Sequence, residues 1–248
     1  MQASLDDHAF LIFGANGGIG SALSQRLAKR GAKLMLAGRN EEALGNLADT
    51  VDGKSVHALP EDPASIAAAV QSTVEAYGRV DGVANCFGTI LLKPAHLTTD
   101  EEWNETLQVN LSSSFAIVRA VAKAFPAEGG SVVFFSTVAA RIGLANHEAI
   151  AAAKAGLHGL ALSAAATYAA KKIRFNVVSP GLTRTPMTAR ITENEASLKA
   201  STAMHPLGRI GEADEVASAA EWFIDPANRW VTGQILGVDG GLGSVRGR

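Results

Sequence analysis

FLIFGANGGIG, residues 10 to 20, sets the reading of the chain. Phe10 to Phe13 has the length and character of a buried strand, and it stops at a glycine cluster. A helical pattern carried by Leu23, Leu27 and Ala28 follows at once. Glycine lets backbone turn sharply and lie bare against a ligand. A helix that starts there points unpaired N–H groups and the positive end of its dipole outward. The segment is therefore a candidate site for the pyrophosphate of a nucleotide. Gly14, Gly18 and Gly20 read G-x-x-x-G-x-G, with Gly17 extra, rather than G-x-G-x-x-G, so the neighbouring segments have to decide between a ligand cradle and an ordinary tight turn.

Composition narrows the choice. With 248 residues, 47% of them apolar and 19% charged, the chain suffices for one large α/β domain whose sheet is covered on both faces. A formal net charge of −2 and the lack of a basic run argue against a nucleic-acid partner. Gln2 to His8 is polar and acidic, and the apolar run behind it is too short for a bilayer, so neither a signal segment nor a membrane is expected. Cys86 is the single cysteine and cannot form an internal disulfide. The expectation is a cytoplasmic protein acting on small molecules, with Cys86 a buried, inert side chain and no metal.

Working outward from the glycine turn, residues 33–37 read as a second buried strand that ends in Gly38-Arg39-Asn40. In a dinucleotide fold an acid at this strand end accepts from the ribose 2′-hydroxyl, whereas an arginine pairs with a 2′-phosphate. Arg39, with Asn40 beside it, favours NADP over NAD. Further strands are expected at 54–59, 80–85, 131–136, 173–178 and 233–238, with helices over 41–50, 62–77, 103–125, 149–170 and 212–224. Pro63 stands in the first turn of one helix, and Thr98-Thr99-Asp100-Glu101-Glu102 offers a capping box for another. Asn110 falls in the middle of a long helix, where asparagine is ordinarily a surface residue or bonds to nearby backbone. Residues 182–207, with Pro186 and Pro206, look like a mobile excursion over the site. The alternation predicts a single Rossmann-type domain: a doubly wound, seven-stranded parallel sheet with helices on both faces. Ligands lie at the carboxyl ends of such strands.

These residues resemble the short-chain dehydrogenase/reductase family over almost the whole chain. Gly14-Ala15-Asn16-Gly17-Gly18-Ile19-Gly20 is similar to its cofactor loop, Asn85-Cys86-Phe87-Gly88 to its Asn-Asn-Ala-Gly turn, and Ser179-Pro180-Gly181 with Thr185 to the segment beside the nicotinamide. Asn110 stands at the family's helix asparagine, and residues 231–241 are similar to its C-terminal strand. The resemblance implies an NADP(H)-dependent oxidoreductase acting on a small carbonyl or alcohol substrate and assembled as a homodimer or homotetramer through the helices at 103–125 and 149–170.

The family's chemistry uses an Asn, Ser, Tyr and Lys tetrad, with tyrosine and lysine four residues apart on one helix face. Lys154 matches the lysine, and the tyrosine position is then Ile150. Thr137, thirteen residues before it, holds the serine position and keeps a hydroxyl, while Ser136 should point to the other face of its strand. Leu59 replaces the family's usual aspartate near the adenine. Tyr168 lies too many turns along the helix to substitute. Two accounts follow: an oxidoreductase with another proton donor, for which His147 is the candidate, or a nucleotide-binding protein without turnover, such as a redox sensor or an inactive partner subunit. The substrate pocket is expected from residues 87–94, 141–147 and the excursion.

Overall fold

The structure, a computed structural model, describes residues 3–245. Its strands are β1 (Ala9–Phe13), β2 (Lys33–Gly38), β3 (Lys54–His57), β4 (Gly82–Asn85), β5 (Gly130–Phe135), β6 (Ile173–Pro180), the two-residue pair β7 (Thr183–Arg184) and β8 (Gly211–Glu212), and β9 (Ile235–Val238). Seven of them form one parallel sheet in the order β3-β2-β1-β4-β5-β6-β9, and β7 pairs with β8 apart from it. The expected seven-stranded sheet is therefore present. All of β1 and β6 is buried, because helices cover both faces, and that double cover is why β1 reads as an unbroken apolar run.

The helices are α1 (Gly18–Ala28), α2 (Glu41–Val51), α3 (Pro63–Tyr77), α4 (Asp100–Leu107), α5 (Ser113–Ala124), α6 (Glu148–Tyr168), α7 (Ala189–Thr192), α8 (Glu195–Met204) and α9 (Ala213–Ile224). Successive strand residues face opposite ways, so β1 feeds two cores. Phe10 and Ile12 pack with Leu23, Leu44 and Phe223 from α1, α2 and α9. Leu11 and Phe13 join Ile66, Ile117 and Leu157 from α3, α5 and α6. The α6 region is long and apolar enough to cross a membrane by length and composition, but Leu157, Ala161, Ala164 and Ala165 are buried against the sheet.

Local signals set the helix starts. Asn40 accepts from the Ala43 N–H at 3.0 Å, Asp62 accepts from Ala64 at 2.9 Å just before Pro63, and Thr99 with Glu102 closes a reciprocal box on α4. After β3 the chain crosses back and lays β4 on the other side of β1. The crevice above the sheet lies at that reversal of strand order.

Two expectations need correcting. The helix over 103–125 is not uniform: residues Gln108–Ser112 form a π-turn between α4 and α5, invisible in the sequence because the apolar pattern runs on through it. Residues 182–207 are not a featureless excursion but contain β7, α7 and α8. α8 has no buried residue, so it lacks the apolar stripe by which a helix is recognised. The strands at 54–59, 80–85 and 233–238 each end up four residues long.

Candidate functional site

Gly14 leaves β1 at φ +66°, and a Cβ there would lie 2.7 Å from the Cys86 carbonyl carbon. A Cβ on Gly20 would run into the Gly14 carbonyl oxygen. Both positions require glycine, because the turn after β1 lies directly against the one after β4 and is folded tightly on itself. α1 then begins at Gly18 with Gly17 as its N-cap, no side-chain cap and no acidic residue in its first turn. The N–H groups of that turn are left for an anion. Thr185 arches over this start, since a Cβ on Gly18 would meet its Cγ2 at 2.8 Å.

Gly17 to Gly20 form one wall of a cavity of about 620 Å³ at the carboxyl ends of β1, β4, β5 and β6. Asn16, Gly88, Thr137, His147, Ile150 and Lys154 line it, and Pro180, Gly181 and Thr185 close it from the far side. Residues scattered from 16 to 185 are thus brought to one opening.

Lys154 is buried, and its ammonium donates to the Phe135 carbonyl at 2.8 Å. Loss of water around it lowers its pKa to about 8, so it keeps its proton at neutral pH. Asn110 sits in the π-turn. Its Nδ2 donates to Thr89 Oγ1 and to the Thr106 carbonyl, both at 2.9 Å, and its Oδ1 accepts from the Thr89 N–H at 3.1 Å. A Cβ on Gly88 would lie 3.3 Å from Asn110 Oδ1 and 3.5 Å from Lys154 Nζ, so glycine leaves these two groups room to converge. Asn110 is therefore no surface residue: it is 1% exposed and ties the loop after β4 to the broken helix.

Thr137 lies half-buried in the wall, and its Oγ1 accepts from the Ala139 N–H at 3.3 Å. Ser136 is engaged elsewhere: its hydroxyl donates to the Lys154 carbonyl at 3.0 Å and meets His158 Nε2 at 2.9 Å, which pins α6 to the end of β5. Burial lowers the His158 pKa, and the nearby Arg141 adds to that. Ile150 is buried and forms part of the wall. Neither tyrosine reaches the cavity, since Tyr77 donates to the Leu34 carbonyl and Tyr168 packs on Phe175. His147 is the N-cap residue of α6 and lines the cavity, three residues before Ile150 and seven before Lys154, a spacing that puts all three on one helix face. Its Nδ1 meets the Ala145 carbonyl at 2.7 Å, leaving Nε2 as the nitrogen with no hydrogen-bond partner among the described residues.

Other candidates are placed away from the cavity. Asn85 is buried beneath it, donating to Ser114 Oγ at 2.8 Å and accepting from the Phe87 N–H at 3.1 Å, so it shapes the turn. Asn40 uses its side-chain oxygen to cap α2. Arg39 is exposed at the end of β2 and has no hydrogen bond or ion pair among the described residues. Cys86 does line the cavity, and burial pushes its thiol up to about 12, so it stays protonated. No cluster of three potential metal ligands occurs among the described residues. His205 went unrecognised in the sequence. It is buried in the wall, accepts the Leu182 N–H at Nε2 (3.2 Å) and donates from Nδ1 to the Ser201 carbonyl (2.7 Å), joining α8 to the end of β6.

A family model described as enoyl-(acyl carrier protein) reductase matches residues 14–243. The 3-oxoacyl-[acyl-carrier-protein] reductase FabG of Salmonella typhimurium is 33% identical over 242 residues, spanning 96% of this chain and 98% of that protein. D-threitol dehydrogenase of Mycolicibacterium smegmatis is 31% identical over 243 residues, spanning 96% of this chain and 93% of its own length. Among solved structures, a short-chain type dehydrogenase/reductase from Mycobacterium ulcerans superposes with a TM-score of 0.92 at 28% identity, covering 98% of this chain and 92% of that one. An actinorhodin polyketide ketoreductase variant with NADPH gives 0.91 at 28% identity, covering 98% of this chain and 100% of that one. With its parallel sheet, its glycine-lined helix start and these matches along nearly its full length, the chain belongs to the short-chain dehydrogenase/reductase family of oxidoreductases.

Proposed function

We propose that this protein is an NADP(H)-dependent oxidoreductase that interconverts a small carbonyl compound and its alcohol, with His147 carrying the proton that the family's tyrosine would carry. The supporting observation is the convergence of the uncapped start of α1, Lys154, Thr137 and His147 on one cavity that holds no phenol. The residues fit the cofactor, because the first turn of α1 carries no side-chain cap and no acidic residue and lines the cavity, with Gly14 and Gly20 allowing the backbone beneath it to fold tightly. Gly17 to Gly20 would hold the diphosphate, Arg39 the 2′-phosphate and Lys154 the nicotinamide ribose, with Pro180, Gly181 and Thr185 beside the nicotinamide. Names of similar proteins point the same way: reductases of carrier-bound oxoacyl groups and a ketoreductase with NADPH.

Bound NADP(H) supplies or accepts the hydride. The chain's own residues orient the substrate and move the proton. Thr137 Oγ1 already accepts one N–H, so its own proton is free for the carbonyl oxygen. His147 donates from Nδ1 to Ala145, so Nε2 carries the exchangeable proton. In the reducing direction the imidazolium gives that proton to the substrate oxygen, and the half-buried ring takes another from water. The Lys154 ammonium stabilises negative charge as it grows on that oxygen. His147→Ala is expected to lower kcat for carbonyl reduction by about 10²–10⁴-fold while NADPH still quenches or shifts fluorescence as before. An unchanged kcat would remove His147 from this role.

One observation favours a second reading, a nucleotide-binding protein without turnover: the buried Ile150 fills the phenol's position. Under that reading NADPH binds, a broad carbonyl panel oxidises none of it, and Ile150→Tyr gains activity. Exposed Trp103, Phe115 and Leu162 on α4, α5 and α6 suit burial against a second copy, which supports a homodimer or homotetramer. Sedimentation as a compact monomer would remove that assignment. Cytoplasmic residence fits the single cysteine, kept as a thiol.

A further inference from the structure

We infer that the substrate is an uncharged carbonyl compound, or its alcohol, bearing an extended apolar chain that lies along the mouth of the cavity; this rests on the oxidoreductase reading above. Exposed apolar residues are ordinary when scattered. Here four of them face one opening. Ile90 and Leu92, 39% and 43% exposed, stand on the loop after β4, and Met187 and Met204, 52% and 46% exposed, stand on the segment that holds α7 and α8; all four line the cavity. Leu144 and Ile191 continue the apolar surface inward, and Ile150 lies among the same lining residues, where a phenol would have added a hydroxyl.

The polar groups complete the argument. Thr89, Ser197 and Ser201 contribute neutral hydroxyls to the lining. Among the described residues no carboxylate and no arginine lines the cavity, and Lys154 is its one ammonium. That ammonium already donates to the Phe135 carbonyl and is assigned to the ribose. Lys93, on the same loop as Leu92, is held by Glu102 at 2.8 Å. His147, another lining group able to carry charge, is held at Nδ1 by Ala145 and assigned to the reacting oxygen, so a carboxylate or phosphate near the four lips would lose water without an ammonium or guanidinium to replace it. An alkyl chain in the same place removes its own apolar surface and that of the lips from water together. Two of the four lips are methionines, whose flexible side chains adapt to the chain they cover, so length is expected to matter more than shape.

The test uses the protein loaded with NADP+, which cannot reduce a ketone, for binding, and with NADPH for turnover. Unbranched methyl ketones from butanone to decanone, and the same ketones ending in a carboxylate, are titrated by calorimetry and then assayed for KM. The expected result is a Kd that falls about threefold per methylene, with each carboxylate at least about tenfold weaker than its matched ketone. Leu92→Asp and Met204→Asp should each weaken decanone by about tenfold relative to butanone. Carboxylates binding as tightly as ketones, a flat series, or a pantetheine thioester binding more tightly than a ketone of equal chain length would each overturn the inference while NADPH still binds. Failure of NADPH itself to bind would overturn the oxidoreductase reading and this inference with it.

Discussion

Two helices begin at the same cavity under opposite constraints. At α1 the backbone carries the design: Gly14 and Gly20 lie where a Cβ would strike main-chain atoms, and the first turn has no side-chain cap. At α6 the side chains carry it, and they can change without moving the backbone. Ile150 is as well buried as a core residue, and His147 and Lys154 flank it on the same face. On the proposed reading, holding a nucleotide diphosphate would depend on geometry that admits few residues, whereas proton delivery would depend on one side chain that can be replaced while the fold stands. The difference shows how a backbone-built glycine turn can persist beside a helix face on which Ile150 stands between His147 and Lys154.

The contrast can be broken most sharply at Gly20. Gly20→Ala forces backbone to move at the diphosphate cradle, so NADPH affinity should drop by about 100-fold or more, read by fluorescence titration, with about 1–3 kcal/mol lost in denaturant unfolding. Retained affinity would show that the cradle is not where the cofactor binds. Ile150→Tyr probes the other helix. It places a phenol one turn before Lys154, so carbonyl reduction should rise by about tenfold or more with NADPH affinity little changed, measured by steady-state kinetics.

Lys154 belongs to both functions and sharpens the comparison through pH. Its pKa of about 8 in the folded chain lies below the ordinary 10.5, so between these values the unfolded chain binds the extra proton. Folding stability must then rise as pH climbs from about 8 towards 10.5, because the cost of burying the charge disappears. NADPH affinity is expected to run the other way, falling above pH 8 as the ammonium proposed to hold the ribose is lost. Lys154→Met should flatten both profiles and stabilise the chain at pH 7 by about 1 kcal/mol or more. The smallest effect is expected at Arg39, which is exposed at the end of β2. Arg39→Ser should cut the preference for NADPH over NADH by about tenfold, and equal affinities before and after would leave the 2′-phosphate to another group.

The parts of the molecule that could be read in the sequence are those whose cause is local. The strands announce themselves because both faces are covered, and α2, α3 and α4 begin where Asn40, Asp62 and Thr99 put a side-chain oxygen. The glycine turn could be read because chain direction reverses there within a few residues. Contacts made across the fold could not. Asn110 looks like any helix asparagine until the π-turn brings it to Thr89. His205 is indistinguishable from a loop histidine until α8 folds back and its ring meets Leu182. The apolar lips fall in the segments expected to form the pocket, 87–94 and 182–207, but that Leu92 and Met204 meet at one opening is visible only in the fold.

The central claim is that the start of α1 grips a dinucleotide diphosphate and sets its reactive ring beside Lys154, Thr137 and His147. Calorimetric titration of the folded protein with NADPH and then NADH tests it most directly. The account predicts saturable uptake of one NADPH per chain, with NADH weaker by about tenfold. No heat of binding with either nucleotide, from protein shown by circular dichroism to be folded, would contradict it.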